Sequence, residues 1–158
     1  MFGVYFKKRA MGRALSHFSA AASGIGGPKE AMGLLVGNFH SYEGKNWVLV
    51  EDYVTAANSA TPVFVRFSGD SFSALAKEIF PLVSGGKIVV GWFHSHPGLG
   101  CFLSGTDTDT QKKYFDHPLS IAAVCDPLRA EGGSVKKRIY RLNAGSGSYS
   151  EISFAVIS

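Results

Sequence analysis

The stretch Lys87-Ile88-Val89-Val90-Gly91-Trp92-Phe93-His94-Ser95-His96-Pro97 decides how this chain is read. The run up to Phe93 has the apolar character of a buried β-strand. Successive side chains of a strand alternate between faces, so His94 and His96 aim together and Ser95 points away. Asp107, eleven residues beyond His96, adds a carboxylate near the start of a helix-like segment. Two imidazoles and one carboxylate leave a tetrahedral Zn²⁺ with one open position for water, the pattern of a catalytic site. The plainer alternative is two satisfied core histidines. The Pro97 turn and the spacing Ser104-x-x-Asp107 are harder to obtain by coincidence.

Asp109 competes with Asp107 for the third position, because the local sequence is Thr106-Asp107-Thr108-Asp109. On a helix the two carboxylates lie about 200° apart, so only one can face a metal. Ser104 has two roles open to it: capping the helix that carries Asp107, or donating to the oxyanion of a tetrahedral intermediate. Amide hydrolysis also needs a base that takes a proton from water and returns it to the leaving amine. Glu30, at the head of an otherwise uncharged strand, is the candidate, in even contest with a solvated strand-end carboxylate. His17, His40 and His117 lack ligand-like spacing and read as surface or structural residues. Two His and one carboxylate also serve Fe(II) oxygenases. The Pro-Cys-x-x-Cys of zinc deaminases and the His-Glu-x-x-His helix of many metalloproteases are both missing from this sequence. The residues alone therefore indicate a metal-dependent hydrolase, with an oxygenase as the weaker rival.

Outward from this strand, Met11, Ala14, Leu15, Phe18 and Ala22 fall at helical spacing and predict an amphipathic helix over roughly 6–23, stopped by the glycines and proline of 24–28. Residues 30–37 and 46–55 read as core strands joined by a turn at 41–44, an antiparallel hairpin. An exposed loop at 56–63, a short strand at 64–67 and a helix capped by Asp70 or Ser71, with Phe72, Leu75, Ala76 and Ile79 on its apolar side, follow. A helix over 106–115 and strands at 119–126, 135–142 and 149–157 complete the expectation. Helices interleaved with a mostly antiparallel sheet make the class mixed α/β, of α+β character.

A chain of 158 residues with 46% hydrophobic content is long enough to bury a core as a single domain spanning 1–158. The net charge of +4 is spread thinly. The clusters Lys7-Lys8-Arg9 and Lys136-Lys137-Arg138 read as solvated faces, and no basic stretch is interleaved with aromatics, so no nucleic-acid partner is expected. Cys101 and Cys125 make no disulfide framework or Cys-x-x-Cys cluster, and Cys125 closes the apolar run 121–124 as a small buried residue. Neither a signal peptide nor a segment of transmembrane length is evident, which makes a cytoplasmic location without membrane attachment the expectation.

His94-x-His96-Pro97, seven residues to Ser104 and three more to Asp107, resembles the JAMM motif of the MPN-plus metalloproteases. The segment Gly91-Trp92-Phe93-His94-Ser95-His96-Pro97-Gly98-Leu99-Gly100-Cys101-Phe102-Leu103-Ser104-Gly105 is most similar to catalytic subunits of the proteasome-lid deubiquitinase and signalosome deneddylase type. The similarity runs from about residue 4 to 154. It implies a cytidine-deaminase-like MPN fold and Zn²⁺-dependent cleavage of isopeptide bonds to ubiquitin or a ubiquitin-like modifier. His94, His96 and Asp107 would be the zinc ligands, Glu30 the base and acid, and Ser104 the oxyanion helper. The loop at about 56–67 would help hold the modifier's extended tail, a task suited to strand addition. Cys101 matches a cysteine of the lid-type motif and is expected to be a packed small residue. A proteasome-type assembly is the partner class implied. Docking there is expected to differ, because a short turn at 143–148 replaces a long insertion and the C-terminal assembly helices are not present. A non-catalytic modifier-binding scaffold and a peptidase for a small sulfur-carrier or ubiquitin-like precursor are the alternatives.

Overall fold

Eight strands form one mixed sheet that curls around a helix. The computed structural model describes residues 1–55 and 69–158, the side chains of 69–76 excepted. In chain order the elements are β1 (Val4–Lys7), α1 (Lys8–Ala22), β2 (Met32–Tyr42), β3 (Lys45–Val54), α2 (Gly69–Ser84), β4 (Ile88–Ser95), α3 (Gly105–Tyr114), β5 (Ile121–Glu131), β6 (Ser134–Leu142), β7 (Tyr149–Glu151) and β8 (Phe154–Ile157). The strands lie side by side as β7-β6-β5-β4-β2-β3-β1-β8. The β1–β3, β1–β8 and β4–β5 ladders are parallel; the other four are antiparallel. The expected mixed α/β class therefore holds, with more parallel pairing than hairpins alone would produce.

Two expectations at the chain ends are corrected. The helix predicted over 6–23 begins at Lys8, because Val4 and Phe6 are buried while Tyr5 and Lys7 are half-buried, the period of a strand. The strand predicted at 149–157 is two strands on opposite edges of the sheet. Only Ile152 and Ser153 separate them: Ile152 N–H donates to the Ile139 carbonyl at 2.8 Å, and Gly3 N–H to the Ser153 carbonyl at 3.1 Å. The two edges thus come together, and the sheet curls around α1. The 64–67 strand and the 56–67 loop lie outside the described residues, and α2 already includes Asp70 and Ser71, so its start precedes both expected caps.

Inside the curl, Met11, Ala14 and Phe18 of α1 pack against Phe6, Leu35, Val48, Phe93 and Ile121. Burying each large side chain contributes about 1.5–3 kcal/mol. The outer face buries Met32, Leu34, Trp92, Val124 and Tyr140 beneath Phe115 and, from α2, Ile79 and Leu82. Strand β4 feeds both faces, and its alternation resets at a bulge opposite Leu35 and Val36. Val90 and Phe93 both enter the inner core, whereas Val89 and Trp92 enter the outer one. The bulge needs Gly91, since a Cβ there would overlap the Ile121 carbonyl oxygen. The expected hairpin turn is tightened to Glu43-Gly44, both at positive φ (49° and 75°), the geometry of a type I′ turn.

Candidate metal centre

On the outer face of β4, Trp92 and His94 project together, as alternation requires. Their rings stack at 4.2 Å and 8°. His96 lies one residue past the strand end and stays in register because its N–H donates to the Cys125 carbonyl of β5 at 2.8 Å. The third group arrives from α3. Ser104 caps that helix, with Asp107 N–H donating to Ser104 Oγ at 3.1 Å and Ser104 N–H donating to Asp107 Oδ2 at 2.8 Å, a reciprocal capping box. The same Oδ2 sits 3.3 Å from His94 Nε2 and 3.3 Å from His96 Nε2. The box that starts the helix therefore also aims its carboxylate. Asp109 points to solvent, so the competition between the two aspartates goes to Asp107.

His94, His96 and Asp107 are all buried, and their ligand atoms lie within 4.8 Å of one another. His94 Nε2 is sealed from solvent with no hydrogen-bond partner. Burial holds the His94 imidazole below its ordinary pKa against the opposing pull of Asp107, which favours the neutral, lone-pair-bearing form. Burial alone would raise Asp107. His94, His96 and the Ser104 N–H outweigh it and hold the carboxyl well below its usual range. An ionised carboxylate facing two imidazole nitrogens, one of them orphaned, is a donor set that fits a divalent metal of the zinc type.

Glu30 is not in β2, whose ladder starts at Met32; it occupies an isolated bridge just ahead of it. Its place is set by its neighbour. Ala31 N–H donates to Ser95 Oγ at 3.0 Å, and Ser95 N–H donates to the Ala31 carbonyl at 3.0 Å. The serine between the histidines, turned away from them, pins the backbone that carries Glu30. A narrow cleft of about 120 Å³ is lined by Glu30, His94, His96, Ser104 and Asp107, with Leu99 and Phe102 among its other walls. Burial lifts the Glu30 carboxyl above its ordinary pKa, His96 drawing it down and Asp107 adding to the rise. All five candidate residues thus border one cleft.

Several supporting residues escaped the sequence reading. Gln111 accepts from Trp92 Nε1 at 2.7 Å and so fixes the ring that stacks on His94. Its signal was there: it follows Asp107 by four residues, on the same helix face. Asp126 is buried at the end of the apolar part of β5 and gathers the loop after His96. It accepts from the N–H groups of Gly98 (2.8 Å), Gly100 (2.8 Å) and Leu128 (3.0 Å). Tyr140 Oη–H donates to the Cys101 carbonyl at 2.7 Å. Cys101 itself donates to the Lys136 carbonyl at 3.4 Å, in keeping with a packed residue. Of the remaining histidines, His17 hydrogen-bonds Tyr53 Oη at 2.7 Å, while His40 stacks on Trp47 and His117 on Phe39.

The sequence and fold match known proteins. The family described as JAB1/Mov34/MPN/PAD-1 ubiquitin protease matches residues 3–117. The "26S proteasome regulatory subunit RPN11" of Eremothecium gossypii is 35% identical over 140 residues, 88% of this chain and 42% of that protein. The "Ubiquitin carboxyl-terminal hydrolase RPN11" of Saccharomyces cerevisiae is 35% identical over 140 residues, 88% of this chain and 43% of its own length. The chain thus spans about two fifths of the curated relatives it matches. A Desulfitobacterium hafniense protein of known solution structure shares the fold, with a TM-score of 0.64 at 19% identity over 98% of this chain and 92% of the other.

Proposed function

The chain belongs to the JAB1/Mov34/MPN/PAD-1 family, and on that footing we propose that it is a zinc-dependent isopeptidase that removes ubiquitin or a ubiquitin-like modifier from lysine side chains. The observation that carries this reading is the buried His94-His96-Asp107 group sharing one cleft with Glu30 and Ser104. His94, His96 and Asp107 would hold the ion. When bound, zinc supplies Lewis acidity, lowering the pKa of a water and polarising the scissile carbonyl.

Glu30 takes the proton of the attacking water and passes it to the departing lysine amine. Its raised pKa suits a group that must both accept and release a proton. The Ser104 hydroxyl oxygen accepts the Asp107 N–H, which leaves its own hydrogen free to donate to the developing oxyanion. The cleft's small volume and its flanking Leu99 and Phe102 favour an extended tail over a folded segment. The names of the curated relatives support a ubiquitin conjugate as substrate and a proteasome-type assembly as partner. The continuous eight-stranded sheet supports reading 1–158 as one catalytic domain. No described helix is long and apolar enough to cross a membrane.

The test is incubation of the purified chain with a ubiquitin–lysine isopeptide conjugate and, in parallel, a linear modifier fusion. Release of lysine from the isopeptide conjugate, abolished by a chelator and restored by zinc, is the expected result. Cleavage that persists in chelator would refute the metal mechanism. Cleavage of the linear fusion alone would move the chain to precursor processing.

A further inference from the structure

A second cavity, of about 490 Å³, shares no lining residue with the metal cleft and lies between the end of α3, the 117–120 turn and the 143–147 turn. Its charge is unbalanced: Lys112 and Arg141 line it against one carboxylate, Asp116, while His117 Nδ1 accepts the Leu119 N–H at 3.1 Å. Arg141 is half-buried, and its Nε is sealed from solvent without a partner. Its Nη2 donates to the Leu119 carbonyl at 3.3 Å. Among the described residues no carboxylate lies within 4.0 Å of it, and exposed Asp116 pairs with neither cation.

A guanidinium withdrawn from water with unused donors is costly unless an anion meets it. Burial accordingly lowers the Arg141 pKa, and no neighbouring charge counters that. Lys112 reaches over the same space, its Nζ 3.6 Å from where a Cβ on Gly147 would stand. Phe115, Pro118 and Leu142 supply apolar wall. The far wall is braced rather than loose, since Asn143 Nδ2 donates to Ser148 Oγ and Ser150 Oγ to Asn143 Oδ1, each at 2.9 Å. The carbonyl end of α3 and Asp116 oppose an anion, and Lys112 and Lys113 in the last helical turn offset them.

We propose that this cavity binds a small organic oxyanion, a carboxylate or a phosphate ester, through the Arg141 guanidinium and the ammonium of Lys112. The planar guanidinium fork suits either oxyanion, and the apolar wall takes the organic body. The site is separate from the metal cleft, although Gln111, which holds Trp92 against His94, borders it.

The test is calorimetric titration of the full chain, after chelator treatment so that no anion can sit on a metal, with phenyl phosphate, benzoate and phenol at matched ionic strength. One of the two anions binds at one site per chain with a Kd of about 1 mM or tighter, and phenol does not. Arg141→Gln weakens that binding about tenfold. Lys112→Gln, on the exposed helix surface, weakens it roughly threefold and leaves thermal unfolding unchanged. Which anion binds identifies the class. Absence of saturable binding by both anions, equal binding of phenol, or binding untouched by Lys112→Gln overturns the proposal, the last even where Arg141→Gln does not fold.

Discussion

The two faces of β4 use the same eight residues for opposite purposes. Inward, Phe93 meets Phe18 at 5.0 Å and Phe6 at 6.1 Å in an aromatic cluster that also takes in Tyr53, whose hydroxyl is satisfied by His17. Outward, Trp92 and His94 join a buried polar set in which most groups are placed by another residue's hydrogen bond: Gln111 for Trp92, Ser104 for Asp107. Both faces bury apolar side chains, and the second also carries the polar set to which the proposed chemistry is assigned. A site can afford orphaned nitrogens such as those of His94 because apolar burial on both faces carries the fold.

The sharpest way to break this contrast is to substitute adjacent residues. Phe93→Ala should lower unfolding free energy by about 3–5 kcal/mol through the cavity it leaves. His94→Ala should lose stoichiometric metal while costing the metal-free protein less than Phe93→Ala does, because the ring it removes is polar and its nearest polar neighbour is Asp107 Oδ2 at 3.3 Å. Denaturant titration of both metal-free variants checks this. Equal destabilisation would erase the division between faces. Metal addition extends the comparison. Zinc at about a thousand times its Kd should stabilise the wild type by about 4 kcal/mol, and His94→Ala and Asp107→Ala should not respond. A rise in Tm that persists in those variants would place the metal elsewhere.

These contrasts were legible in the sequence to different depths. The shared aim of His94 and His96 follows from a period of two, a local rule, whereas helix geometry leaves Asp107 and Asp109 in competition and the family resemblance favours Asp107. Glu30 was not decidable locally: its place depends on the Ala31–Ser95 hydrogen bonds, across 64 positions of sequence. Strands β1 and β8 escaped for a related reason, β1 as a strand at all and β8 as one separate from β7. Each is four residues long and exists through parallel pairing to distant partners, leaving little periodicity of its own. Asp126 merely ends the expected strand 119–126, and its role shows only when the loop after His96 folds back over it.

Asp126 gives a smaller effect that sharpens the comparison. Burial would raise its pKa, but the N–H groups of Gly98, Gly100 and Leu128, with Arg129, hold it below the ordinary 3.8. A depressed folded-state pKa contributes stability that is present above the unfolded value and lost as pH falls through the folded one. Asp126→Asn should cost about 2 kcal/mol at neutral pH and make the loss of stability below about pH 4 shallower, with Asp107 retaining its own share. Unchanged acid sensitivity would show that the loop does not depend on this carboxylate. The smallest effect is Ser104→Ala, which removes the cap that starts α3 at a cost of about 1 kcal/mol. Its turnover should fall further than that loss of stability explains if the hydroxyl also meets the oxyanion; a fall in proportion would leave it a cap alone.

The most direct test of the central claim is zinc content and isopeptide turnover measured side by side in the wild type and in Glu30→Gln. Glu30 is assigned to proton transfer and not to metal binding. One zinc per chain is therefore expected in both proteins, with turnover about 10²- to 10⁴-fold lower in the variant. A wild type that takes up no zinc, a variant that releases it, or a variant that cleaves as fast as the wild type would contradict the account.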